Sequence, residues 1–415
     1  MGKIVSGMML AFLLVGILVS AYNVRPVRAQ FYAAVTINSD GSISPYSAPI
    51  STVDNITYTL TGNINCPFQG DGLDVERSNI VVDGNGYTIL GNQSSGDGII
   101  LVNVNNTTVK NMKIEGFEAN GIQDCGYVKL TDQSTQSFSS NDTIIDNCVT
   151  ATEGAGIDVS FVTDSTVDGN NVTGGGIGLG ECSNSIVSGN TVSTTSGVGI
   201  SLFNSSSNTV SLNNATENEY GIQLESSSNS NTINGNNVSA NCIGMYIWDS
   251  SDNVVSDNNV NANHFMNVTM PDNTTVEGFG YGINLLGSDG NIIDDNNVMA
   301  NEIGIVLEHS GACGACNNTI HHNNFIGNKV QTLIDESCVG NAWDDGYANG
   351  GNYWSDGIAD KPYVIDANNT DYYPLTVPIA VVPEFPSFLI LPLFLIATLL
   401  AVIIYKKKAM QYKRL

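Results

Sequence analysis

Few side chains in this sequence can do more than fold it, and those that can are gathered late in the chain. It has four histidines, and three of them, His309, His321 and His322, fall within fourteen residues. The stretch Ile293-Asp294-Asp295-Asn296-Asn297-Val298 matches Ile320-His321-His322-Asn323-Asn324-Phe325 position for position. Stacked as neighbouring strands, the two place His321 and His322 over Asp294 and Asp295 at a separation of ~5 Å, with Asp257 in the column of Asp295 and His322 one unit earlier. Imidazole nitrogen and carboxylate oxygen are donors that Zn²⁺ and Cu²⁺ accept. The spacing therefore predicts a divalent-metal site, and the alternative is a solvated corner where His and Asp pair by charge. Cys313 and Cys316 in Cys313-Gly314-Ala315-Cys316 stand close enough to join it or to close a disulfide.

A second set is His264, Met266 and Met270, an imidazole and two thioethers on one loop. It suits copper or serves as a hydrophobic loop anchor. Asp294 and Asp295 are also the candidates for acid and base work on a glycosidic bond. Towards the end, Asp344, Asp345, Asp356, Asp360, Asp366 and Asp371 lie among Gly and Asn and could hold Ca²⁺, without a regular Asp-x-Asp-x-Asp loop. Tyr353 and Trp354 beside them are candidates to stack on sugar rings, or with Trp343 and Tyr347 they pack as a core.

A repeat must position all of these. Gly-Ile or Gly-Met recurs at Gly98, Gly121, Gly156, Gly176, Gly199, Gly221, Gly244, Gly282 and Gly304 in steps of 20 to 38 residues, most of them 22 or 23. About ten residues after each comes a second apolar position (Val167, Val187, Val210, Ile233, Val255, Ile293), and five later a third (Val172, Val192, Ala215, Val238, Val260, Val298). A period of this length means a solenoid with three short strands per turn. Leucine-rich repeats need a dense Leu pattern that is missing, and hexapeptide coils are shorter. The reading is an all-β chain, a right-handed three-sided parallel β-helix of about 10–11 coils. Three residues past the second apolar position stand Asn147, Asn170, Asn190, Asn213, Asn236, Asn258, Asn296 and Asn323, with Met112 the departure. Stacked amides along the axis, at a bend where Asn tolerates left-handed geometry, account for that column. Insertions after Ile122, Val260 and Ile305 break the period and are the places to look for function.

Charge narrows the partners. The chain has 14 Lys and Arg against 40 Asp and Glu, a net of −26. Eight of the bases sit before residue 30 or after residue 405, and none lies between Leu130 and Asn328. Nucleic acid is excluded, because phosphate binding needs clustered bases. A lyase acting on uronates lacks its base, and acidic walls repel polyuronates. Neutral glycans, other envelope components and cations remain.

The ends predict export. Lys3 and the apolar run Met8–Val19 read as a signal peptide over 1–29, followed by an N-terminal cap over 30–77, the repeats over 78–335, an Asp- and aromatic-rich cap over 336–377 and a proline-rich neck over 378–387. Residues 388–405 form an apolar transmembrane helix, and 406–415 a basic cytoplasmic tail. Thirteen Asn-x-Ser/Thr sequons suit an exported glycoprotein, and eight cysteines outside the cell are expected to form disulfides.

Two resemblances follow from these residues. Pro383-Glu384-Phe385-Pro386, the apolar helix and the basic tail resemble the PEF-type C-terminal sorting signal of archaeal surface proteins, which implies a sortase-like processing enzyme. A permanent membrane anchor is the other reading. Residues 75–375 resemble the right-handed β-helix proteins that include the NosD-like periplasmic copper-binding family and the carbohydrate-binding and sugar-hydrolysis domains. The resemblance is carried by Ser78-Asn79-Ile80-Val81-Val82-Asp83-Gly84-Asn85-Gly86-Tyr87-Thr88-Ile89, the repeats, Gly350-Gly351-Asn352-Tyr353-Trp354-Ser355-Asp356 and Tyr372-Tyr373-Pro374-Leu375. It implies copper delivery, glycan binding or sugar hydrolysis. The expectation drawn from residues and resemblance together is a surface-anchored, non-enzymatic β-helix that binds carbohydrate or envelope components. A NosD-like copper-handling protein is the alternative, and a β-helix glycoside hydrolase the second.

Overall fold

The structure, a computed structural model, describes residues 34–380 apart from 67–68, 94, 127–138, 151–153, 194–196, 265–266, 270–274, 278–279, 311–313 and 359–360. These residues form a parallel β-helix with three long faces, one sheet of 13 strands and two of 12. We call them the first, second and third sheets in the order the chain visits them. Ile99, Ile122, Ile157, Ile177, Ile200, Ile222, Met245, Ile283 and Ile305 pair in one column of the first sheet. The second and third apolar positions do the same in their sheets, from Val167 to Ile320 and from Val172 to Phe325. The strands are two to six residues long, mostly of β-branched and polar alternation, so one side chain in two points inward and is buried. Among the described residues no helix is long and apolar enough to cross a membrane.

Every corner carries a ladder of side-chain amides. Between the second and third sheets, Nδ2 of each Asn donates to Oδ1 of the next at 2.9–3.0 Å from Asn147 to Asn323, and Asn352 extends the column by one. The same Oδ1 accepts the backbone N–H of the coil before it, as Asn236 Oδ1 does from Asn213 at 2.9 Å. The ladder asparagines are not the left-handed residues. That conformation falls one position earlier, on Asp146, Gly169, Gly189, Leu212, Gly235, Asp257, Asp295 and His322, which leaves the amide free to face inward. Two further ladders are not evident from the sequence. One runs from Asn208 through Asn231, Asn253, Asn291 and Asn318 to Asn341. The other runs from Asn218 through Asn241, Asn263 and Asn301 to Asn328. Glycine precedes the first-sheet column because a Cβ at Gly221 would stand 2.6 Å from the Gly244 carbonyl and 2.8 Å from the Asn241 amide.

Parallel pairing begins before the marked repeat. Leu73–Val75 pairs with Ile99–Val102 and Val35–Ile37 pairs with Leu73–Val75. Ile43–Ser44 and Ile50–Ser51 fold back antiparallel and close the N-terminal edge. The predicted disulfides do not form among the described cysteines Cys66, Cys148, Cys182, Cys242, Cys316 and Cys338, which are free thiols. They are distributed over different corners and strands, and Cys182 occupies a ladder position where its thiol meets the Val159 carbonyl at 3.2 Å. Cys313 lies outside the described residues.

The interior holds one acidic group that no periodicity marks. Asp124 points inward in the column of Leu101 and Val159, fully buried, with neither carboxylate oxygen hydrogen-bonded. Its neighbour Asp142 takes the ladder position that Asn208 takes later and accepts the Thr107 N–H at 2.8 Å, leaving its second oxygen unpaired. Burial pushes the Asp142 carboxyl up to about 7 and Asp124 well above its ordinary range.

Two expectations follow. Asn236→Ala removes the acceptor of the Asn213 N–H and of one of the two bonds of the Asn213 amide, together with the side-chain donor to the Val210 carbonyl, and should lower the unfolding free energy by about 3 kcal/mol in a denaturant titration. Asp142 is protonated in the folded chain and ionised in the unfolded chain over the interval between 3.8 and about 7. The unfolded state then binds fewer protons, so stability falls as pH rises through that interval, by a few kcal/mol in order of magnitude. Asp142→Asn should flatten the decline and raise the melting temperature at pH 8, read by circular dichroism.

Candidate metal centre

Asp294 ends a strand of the second sheet, Ile292–Asp294, and His321 ends the next, Thr319–His321. The two are paired across the ladder, and His321 Nδ1 lies 2.8 Å from Asp294 Oδ1. In an extended strand His322 would point to the opposite face. Its φ of 56° turns the chain instead, and its ring comes back beside that of His321, with centroids 4.4 Å apart and planes at 69°. His322 Nδ1 then lies 3.1 Å from the same Asp294 oxygen and 3.0 Å from His321 Nδ1. Three donor atoms form a triangle on one side of the corner, partly open to solvent, with side-chain exposures of 14% for His321, 22% for His322 and 27% for Asp294.

The surrounding hydrogen bonds fix both the backbone and a tautomer. Asn323 Nδ2 donates to the His321 carbonyl at 2.8 Å, and Asn296 Nδ2 to the Asp294 carbonyl at 2.9 Å. His322 Nε2 faces the Asn349 carbonyl at 3.2 Å. A carbonyl only accepts, so Nε2 carries the hydrogen and Nδ1 of the neutral ring has its lone pair turned to the triangle. That lone pair and the Asp294 carboxylate repel unless a proton or a cation lies between them. The donors around a four-coordinate Zn²⁺ or Cu²⁺, with bonds of ~2.0–2.1 Å, are separated by roughly 3.3 Å, so this triangle needs to open by only a few tenths of an ångström. The residues fit such an ion, and three protein donors leave a position free for a further ligand.

Other expected site residues behave differently. Asp295 also has positive φ and does not reach the triangle. Burial and then the Asp294 carboxylate push it above the usual carboxylate range, while His322 opposes the shift. Asp257 adds charge to that neighbourhood, and its N–H donates to the Asp294 carbonyl at 3.3 Å. Among the described residues only Asp294, His321 and His322 converge as potential metal donors. An Asp294–Asp295 acid–base pair is not what the geometry offers, because the Asp294 oxygen is engaged by two imidazoles. His309 pairs with Asp335 at 2.9 Å instead. His264 is exposed and its Nδ1 donates to the Ala262 carbonyl at 2.7 Å, while Met266 and Met270 lie outside the described residues.

Of the two readings open for Trp354, its surroundings are those of a core residue. Its ring is 4% exposed, stacked between Phe325 at 4.5 Å and Tyr363 at 4.2 Å, with Nε1 donating to Asp371. It is the core of the C-terminal cap, and Tyr353, half-buried, pairs beside it with Asn324. Of the cap's acids Asp360 lies outside the described residues, and three of the others act as acceptors of backbone N–H groups. Asp344 takes the N–H of Gly346 and Tyr372, Asp366 those of Asn368 and Asn369, and Asp371 those of Asn352 and Tyr373. The contribution of Asn349 could not be foreseen, since a carbonyl leaves no trace in residue type.

Comparison with known proteins agrees with the fold and with one family. The family model described as periplasmic copper-binding protein (NosD) matches residues 118–274 and 265–357, more than half of the chain and including the whole triangle. No curated protein matches the sequence. A substitution mutant of the periplasmic alginate epimerase AlgG superposes with a TM-score of 0.51 at 15% identity, over 75% of this chain and 82% of that one. The A-module of the Azotobacter vinelandii mannuronan C-5 epimerase AlgE4 gives 0.44 at 13% identity, over 76% and 89%. The Dettilon tailspike protein gives 0.48 at 16%, over 67% and 59%. At 15% identity the AlgG superposition is a likeness of fold alone.

Proposed function

This chain belongs to the NosD family of periplasmic copper-binding proteins, and from that membership we propose that it is a non-enzymatic metal-binding scaffold that takes copper at Asp294, His321 and His322. The observation that carries the reading is the triangle of donor atoms at 2.8, 3.0 and 3.1 Å, on residues held by two rungs of the asparagine ladder. Two imidazoles and a carboxylate bind Cu²⁺ more tightly than the other common divalent ions, Zn²⁺ included. When bound, copper would supply a Lewis-acidic centre with an open coordination position, which suits an ion that is held and handed on. His322 presents Nδ1 because Asn349 holds its Nε2 hydrogen, and Asp294 supplies the negative charge that offsets the ion.

The reading also takes the protein to the outer face of the cell membrane. It rests there on the signal-like segment over 1–29, the apolar segment over 388–405 and the basic tail, all outside the described residues. A sortase-like enzyme acting at Pro383-Glu384-Phe385-Pro386 would exchange the apolar anchor for another attachment.

Elemental analysis of the full-length protein after equilibration with Cu²⁺ and dialysis tests the proposal. A single copper ion per chain is expected. His321→Ala/His322→Ala should lose it, and Asp295→Asn and Asp257→Asn should keep it. Failure of the wild-type protein to retain copper, or full retention by the double variant, would sink the reading.

A further inference from the structure

We infer that the outward face of the first sheet, around Tyr246, is a binding surface for an uncharged oligosaccharide. In the earlier coils the outward columns hold Gln123, Asp158, Gly178 and Ser201 in one and Cys125, Ser160, Gly180 and Phe203 in the other. From the strand Tyr220–Glu225 onwards the same columns hold Gln223, Tyr246 and Asn284, and Glu225, Trp248, Leu286 and Glu308. Tyr246 and Trp248 bring two neighbouring rings into these columns within one coil.

The rings form one surface. Tyr220 and Tyr246 have centroids 5.3 Å apart, Tyr246 and Trp248 6.4 Å, and both pairs are inclined by 30°. Neither pair meets edge to face, and Trp248 is 37% exposed while Tyr220 and Tyr246 are partly buried. An apolar floor of Ile243, Tyr281 and Val306 adjoins them on the same side. On either flank an amide is bonded to a carboxylate: Gln223 Nε2 donates to Glu225 at 3.1 Å, and Asn284 Nδ2 donates to Glu308 at 3.1 Å. The second oxygen of Glu308 and the Asn284 Oδ1 remain as acceptors, and the latter is buried without a hydrogen bond in a residue only 3% exposed. Burial pushes the Tyr246 phenol up to about 12, so it stays a neutral hydroxyl.

These groups have the chemistry of a sugar site. Aromatic faces pack against the C–H faces of a pyranose, and buried acceptors with fixed orientation take its hydroxyl hydrogens. An uncharged ligand follows from the charge: Glu225 and Glu308 frame the rings, and no Lys or Arg occurs between Leu130 and Asn328, so a polyuronate would be repelled. The inference is independent of the metal reading, since the triangle lies at the corner between the second and third sheets.

The three tryptophans make the test selective. Trp343 and Trp354 are buried, so Trp248 is the one whose emission a ligand on this face changes. The full-length protein is titrated with mannohexaose and xylohexaose as neutral probes and with hexamannuronate as the charged control, following fluorescence and calorimetry. A saturable shift with a neutral probe is expected. It should vanish in Trp248→Phe, while calorimetric affinity falls about tenfold in Tyr246→Ala and also falls in Glu308→Gln. His321→Ala/His322→Ala should bind the sugar as the wild type does. The inference is overturned if neither neutral probe gives a saturable response, if hexamannuronate binds as tightly, or if Tyr246→Ala and Glu308→Gln, folded by circular dichroism, keep full affinity.

Discussion

The whole molecule depends on satisfying buried backbone N–H groups at three corners per coil. A turn that points its polar backbone inward must give each N–H and C=O a partner, because an unpaired one costs as much as a lost hydrogen bond or more. Asparagine solves the problem in both directions: Oδ1 accepts the N–H of the coil before, and Nδ2 donates to the amide and to a carbonyl of neighbouring coils, as at Asn213 with Asn236 and Val187. The same bonds that satisfy one coil hold the register of the next. This is why Asn is so frequent, and why the chain reaches its length without dividing into domains.

A ladder of this kind fixes some positions and frees others. The left-handed residue just before each Asn has only its conformation prescribed, so Gly, Leu, Asp and His all occur there. The outward residues of each strand are similarly unconstrained. Chemistry is placed in these columns without disturbing the core. At Asp294 and His321 the freedom and the constraint meet, because Asn296 and Asn323 bond to the carbonyls of those two residues. The candidate metal donors are therefore positioned by the most rigid part of the corner, which is the supporting shell that a coordination site would need.

How much of this was legible varies with the physics of each feature. The strand register could be read residue by residue, because an interior only one side chain deep admits β-branched and aliphatic residues at fixed intervals. The first ladder was legible for the same reason. The ladder through Asn208 was hidden because its early rungs are Asp142, Ser165 and Ser185, which donate or accept in the same place with different side chains. The triangle was half legible: stacking put His321 over Asp294, but alternation alone separates His322 from them, and only the positive φ unites the two rings. Trp354 left two readings open, because a ring beside acids reads alike whether it is a platform or a core. The Tyr246 face was missed since it is not periodic. Its signal was the pair of rings, Tyr246 and Trp248, in neighbouring outward columns, which becomes visible once the register is known.

The charge of the chain links the corner with the rest of the surface. Exposed acids distributed along a rod, with no bases on most of the coils, give a field that concentrates cations near the protein and repels anions, within about 8–10 Å of each group at physiological salt. Such a field has no selectivity of its own, since any cation responds to it. Selectivity has to come from nitrogen donors with a fixed lone pair, and the described residues bring two together only at His321 and His322. On the proposed reading the two would act in succession: the acidic surface would raise the local concentration of metal ions, and the imidazole pair would choose those that prefer nitrogen over oxygen. A carboxylate cluster alone would hold Ca²⁺ or Mg²⁺ as readily, and the cap shows what becomes of acids without imidazole here, with Asp344, Asp366 and Asp371 each turned to backbone N–H groups.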